Sequence, residues 1–109
     1  MTATTELVAE CVRAANRVKS ISPSDRQHLL ERGAAVSAAM RGLLVKTGKI
    51  APFDEALEDV VVDIARNIFE MSDETVSKAL LALAGQIRTL RILNREAPEN
   101  PIRNGARTT

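Results

Sequence analysis

Side chains able to do chemistry on their own are few and scattered in this chain. There is one histidine, His28, one cysteine, Cys11, and a run of carboxylates at Glu55, Glu58, Asp59 and Asp63. On a helix those acids form i,i+3 and i,i+4 pairs, the spacing a two-metal bundle site would use. Such a site also needs Glu-x-x-His partners, which the chain lacks, so the run implies a solvated acidic face. Cys11 has no partner for a disulfide or a cysteine-based zinc cluster, and it falls on an apolar helical stripe. It is expected to be a small buried hydrophobe. The glycines stand apart at 33, 42, 48, 85 and 105 and form no phosphate-binding loop. No Ser or Cys has a base beside it in sequence that would activate it. The expectation is a protein without catalytic residues, cofactor or metal, and not an enzyme.

Two segments resemble known motifs. Residues 63–80, "DIARNIFEMSDETVSKAL", resemble the bacterial helix-turn-helix pattern, with Ile64-Ala65 opening a first helix and Ser72 to Ser77 opening a recognition helix. The separation from Ala65 to Ser72 is one residue longer than in that family, and the turn glycine is replaced by Phe69, Glu70 and Met71. The resemblance implies a DNA-binding regulator. Asp73 and Glu74 would then face phosphates, which opposes the contact that dominates DNA affinity. The same letters also describe a capped helix. His28, followed by "LLERGAAV", faintly resembles the phosphoacceptor helix of histidine phosphotransfer domains. Glu31 and Arg32 stand where that family has Lys and Gly, and an acid there would repel a phosphoryl group. A half-exposed surface histidine is the expectation.

Composition narrows the classes further. The chain is 45% hydrophobic and 27% charged, within the range of ordinary soluble proteins. Phe53 and Phe69 are its only aromatic residues, which disfavours base-stacking and sugar-binding surfaces. Net charge is +1, yet it is segregated: residues 1–50 sum to +4, residues 51–80 to −6 and the remainder to +3. This is a segmental dipole rather than the broad basic footprint of a non-specific nucleic-acid binder. The polar N-terminus lacks a signal-peptide pattern and no apolar run is long enough to span a membrane, so a cytoplasmic location is expected.

Apolar periodicity predicts four helices. The first covers about 4–19, with Leu7, Val8, Cys11, Val12, Ala15 and Val18 inward, and Glu10 paired locally with Arg13. The second starts at Ser22-Pro23, with Asp25 completing the cap, and stops at Gly48. Its expected inner stripe is Leu29, Gly33, Val36, Met40, Leu43 and Leu44, and its small residues over 33–42 suit a central position. The turn "KIAPF" leads to a third helix over roughly 53–71, with Leu57, Val60, Val61, Ile64 and Ile68 inward. Val62, Ala65 and Phe69 form a second strip on it. Ser72 caps the fourth helix, whose inner series is Val76, Leu80, Leu83, Ile87, Leu90 and Asn94. Leu81, Gly85 and Ile92 lie on its opposite side, and Arg88, Arg91 and Arg95 form a basic stripe. No internal repeat is evident.

The expected fold is all-α, a four-helix bundle-like single domain over 1–96 with a disordered tail over 97–109. The expected function is that of a non-catalytic helical interaction module (a small regulator, adaptor or chaperone) working as a homodimer or with another protein. A DNA-binding regulator using 63–80 is the alternative. Val62, Phe69, Leu81, Gly85, Arg88, Arg91, Ile92 and Arg95 are the expected partner-binding residues, because apolar strips beyond one core stripe are normally covered by something.

Overall fold

The computed structural model describes the backbone over residues 3–48 and 56–99, and the side chains over 4–48 and 57–94. The fold is all-α. Helix α1 spans Ala3–Asn16, α2 Pro23–Lys46, α3 Ala56–Arg66 and α4 Asp73–Glu99, with short 3-10 turns at Val18–Ser20 and Ile68–Glu70. Both expected serine caps form. The Asp25 and Thr75 N–H groups each donate to a serine Oγ, of Ser22 and Ser72, at 3.1 Å. Gly48 ends α2 with φ +80, a conformation that favours glycine. The turn at 49–53 and most of the tail lie outside the described residues. Helix α4 itself runs on to Glu99, past the boundary expected at 96.

The two halves of the chain share one design, which the sequence reading missed. Val18 and Ile68 open the 3-10 turns, Pro23 and Asp73 open the long helices, and each pair is 50 residues apart. Hydrogen bonds follow the same offset. Ser20 N–H donates to the Arg17 carbonyl at 2.9 Å, and Glu70 N–H to the Asn67 carbonyl at 2.8 Å. Ile21 N–H reaches the Val18 carbonyl at 3.1 Å, and Met71 N–H the Ile68 carbonyl at 3.2 Å. The unit is a helix, a 3-10 corner and a longer capped helix, used twice.

The halves interlock. Helix α1 packs mainly on α4, and α3 mainly on α2, while each barely touches the long helix that follows it in sequence. Helices α2 and α4 run in the same direction against each other: Gly33 lies at Leu83, Gln86 Nε2 donates to Ser37 Oγ, and Asn94 Nδ2 donates to the Met40 carbonyl. Gln27 Nε2 donates to the Ala65 carbonyl at 2.8 Å, and its equivalent Ser77 Oγ donates to the Ala15 carbonyl at 2.9 Å. These crossed bonds give the molecule an approximate internal twofold. A Cβ at Gly33 would come within 2.7 Å of Leu83 Cδ1, so the expected close approach at α2 is realised there.

The inner series of α4 is as expected: Val76, Leu80, Leu83, Ile87 and Leu90 are fully buried, with Leu7, Val8, Cys11, Leu30, Val61 and Ala65 around them. The stripes expected on α2 and α3 hold at Leu29, Gly33, Leu44, Val61 and Ile68, and each departs at one residue. On α2, Leu30, Ala34 and Ser37 are buried while Leu43 is exposed. On α3, Val60 is 51% exposed, and Glu58, Val61 and Ala65 are buried, as is Ile68 in the 3-10 turn that follows. The reason is the interlocked packing. Each of these helices is covered by a helix from the other half, so its buried arc is rotated from the one a sequential antiparallel bundle would use.

Candidate interaction surface

Buried polarity is concentrated on one side of the twofold. Glu58, placed on the inner arc of α3, accepts from Ser37 Oγ at 2.7 Å and pairs with the Arg41 guanidinium. Gln86 Nε2 completes the group from α4, donating to Ser37 Oγ at 2.7 Å. These contacts satisfy the polar atoms of Glu58 inside the fold, which is what makes burying it tolerable. The acidic residues of α3 thus separate: Glu58 is structural, whereas Asp59 and Asp63 are exposed. Asp63 makes a loose 3.6 Å pair with Arg66. Among the described residues no cluster of His, Cys, Asp or Glu is arranged to hold a metal ion.

At the equivalent place in the other half, between α1 and α4, position 8 is valine and Arg91 takes the place of Arg41. Arg91 donates to Thr5 Oγ1, and its buried Nε has no hydrogen-bond partner among the described residues. The result is a cleft of about 410 Å³ whose apolar floor includes Val8 and Val12 and whose walls carry Arg13, Arg88 and Arg91. Among the described residues, no carboxylate lines it. Arg13 was expected to pair with Glu10, but Glu10 bonds Arg32 of α2 at 2.9 Å. That leaves Arg13, like Arg88, without an ion pair among the described residues.

The other expected partner-binding residues divide. Leu81 and Ile92 on the outer face of α4 are 46% and 45% exposed, and Phe69 at the 3-10 corner is 84% exposed. Gly85 lies between Leu81 and Ile92, and a Cβ there would meet nothing within 4 Å among the described residues. Val62 is instead partly buried against the core, and Ala65 of the same strip is wholly buried. Arg95 lies on α4, but its side chain is outside the described residues. Val60 is a residue the sequence reading missed, since it was assigned to the core. The repeat was the signal that could have found it. At the same backbone positions the first half carries charge: Glu10 for Val60, Lys19 for Phe69 and Glu31 for Leu81.

The corner at 63–80 is occupied by internal contacts. Asp73 pairs with Arg26 at 3.0 Å, Ser77 bonds the Ala15 carbonyl, and Thr75 bonds Ser72. Arg26 also donates to the Ile21 and Val18 carbonyls, tying the first corner to the start of α4. His28 is exposed and lines a cleft of about 790 Å³ between α1 and α2, beside Glu10, Glu31 and Arg32. Cys11 is buried and free, and burial pushes its thiol up to about 11 from an ordinary 9.0. No helix among the described residues is long and apolar enough to cross a membrane. No protein-family model, curated protein or solved structure matches the chain.

Proposed function

We infer that this chain is a non-catalytic helical interaction module that self-associates through the outer face of its second half. One observation carries the reading. Val60, Phe69 and Leu81 are exposed apolar residues at positions where the first half uses Glu10, Lys19 and Glu31. The first half forms the same corner and the same long helix with charged residues there. Apolar side chains at these places are therefore surplus to folding, and water-exposed apolar patches of this kind fit a surface covered by another chain.

Magnitudes set the kind of association. Covering Val60, Phe69, Leu81 and Ile92 contributes about 1–2 kcal/mol each, given their partial exposure. Orientation and ordering costs on association are of similar total size. A reversible assembly follows, rather than an obligate one. The DNA-binding alternative gains nothing from the corner, where Asp73 and Ser77 are engaged inside the molecule.

Light scattering after size exclusion tests the reading, with Leu81→Glu and Ile92→Glu made singly. Dissociation into folded monomers is expected from either. A wild-type chain that stays monomeric at high concentration overturns self-association, and unfolding of Leu81→Glu would make that side chain part of the core.

A further inference from the structure

We propose that copies of this chain also join head to tail, with the arginine cleft between α1 and α4 of one copy seated on the acidic outer face of α3 in the next. The proposal rests on the self-association reading and adds charge to it, since the acidic face of α3 borders Val60 of the apolar patch. Three guanidinium groups, Arg13, Arg88 and Arg91, surround an apolar floor, with no carboxylate among the described lining residues. Arg91 donates to the Thr5 hydroxyl and, like Arg13 and Arg88, has no ion pair among the described residues. Like charges gathered this way repel one another, and a carboxylate from outside relieves that repulsion.

The fold contains a filled version of this site. Arg41, the equivalent of Arg91, meets the carboxylate of Glu58, whose equivalent is Val8. Where the second half supplies its own carboxylate, the first half leaves a cleft and adds Arg13 and Arg88 around it. The complementary charge stands on the twofold-related side of the same molecule. Asp59 and Asp63 of α3 are the equivalents of Ala9 and Arg13, and both are exposed. Asp63 has only its 3.6 Å pair with Arg66, and Asp59 has no ion pair among the described residues. The two faces share a backbone design and carry opposite charge.

Because the faces lie on different sides of one chain, their contact is heterologous and can repeat from copy to copy. A net charge of +1 leaves little long-range repulsion to oppose it. Contacts made by exposed charges weaken as salt shortens the Debye length, so this surface is salt-sensitive where the apolar one is not.

Sedimentation equilibrium of the wild-type chain, of Arg13→Glu/Arg88→Glu and of Asp59→Lys/Asp63→Lys tests the proposal, with circular dichroism melts confirming that each variant folds. Association of the wild type is expected to weaken at least ~10-fold on raising salt to about 0.5 M, because screening acts on exposed charges. Each variant alone is expected to lose this association, and an equimolar mixture of the two to regain it, since each then meets a complementary face. Folded variants that associate like the wild type, or a mixture that fails to reassociate, overturn the proposal. Charge sensitivity with no effect of Leu81→Glu would sink the apolar reading alone. Sensitivity to Leu81→Glu with no effect of charge would sink this one alone, and a wild-type monomer at all salts would sink both.

Discussion

Arg41 and Arg91 occupy equivalent positions yet end in different company, and that difference sets the energetics of each half. Removing the Glu58 carboxylate takes away its ion pair with Arg41 and the acceptor of the buried Ser37 hydroxyl. Breaking a largely buried pair in this way costs several kcal/mol, so Glu58→Ala should lose about 3 kcal/mol of stability in urea denaturation. A loss below 1 kcal/mol would show that the group is solvated. Cys11 offers a pH test. Its thiol titrates higher folded than unfolded, so the neutral form stabilises the fold below pH 9. That contribution fades as pH rises from 9 toward 11, and the wild-type chain should lose stability over this range relative to Cys11→Ala. Parallel pH curves for the two chains would contradict the burial of the thiol. The glycines separate packing from partner contact. Gly33→Ala would crowd Leu83 and cost about 1 kcal/mol. Gly85→Ala meets open space and should raise the stability of the monomer by about 1 kcal/mol, the helix-propensity difference, while weakening association if a second backbone comes close there.

Helix by helix, local signals announced where elements begin, and tertiary packing decided which faces are buried. Ser22 and Ser72 were legible as caps because the capping bond is local, within three residues. Alanine at either should cost about 1 kcal/mol by thermal melt. The inner series of α4 was legible because five large apolar residues hold helical spacing throughout. The stripes of α2 and α3 were misplaced at Leu43 and Val60, because sequence order suggests that neighbouring helices pack together and here they do not. The repeat was missed since few pairs at the 50-residue offset are identical, among them Leu7 and Leu57, Val12 and Val62, Ser22 and Ser72, and Leu30 and Leu80. Charged and apolar exchanges between them, such as Glu10 with Val60, hide the rest. Of the expected surface, Phe69, Leu81 and Ile92 were legible as apolar residues off the main stripe. The arginine cleft was not, because Arg13 and Arg88 meet only through the pairing of α1 with α4. Since α1 is covered by α4 and α3 by α2, a fragment of residues 1–48 should show no cooperative melt. A folded fragment would mean that the halves are independent.

For the whole molecule, the internal twofold supplies its own control. Two halves share a backbone plan, so any position where they differ in polarity tests what the fold requires. Where both halves are apolar, as at Leu30 and Leu80, the core demands it. Where one half is charged and the other apolar on the surface, folding does not. The central claim, that the apolar face of the second half serves a partner, is tested most directly by copying the first half onto it. A chain carrying Val60→Glu, Phe69→Lys, Leu81→Glu and Ala82→Arg would recreate at 60 and 82 the ion pair that Glu10 and Arg32 make. Sedimentation equilibrium at low and high salt, with a thermal melt of the same sample, reads the outcome. The account predicts a folded chain melting within a few degrees of wild type, with the salt-resistant part of its self-association gone. A chain that unfolds, or one that associates as the wild type does at high salt, would contradict it.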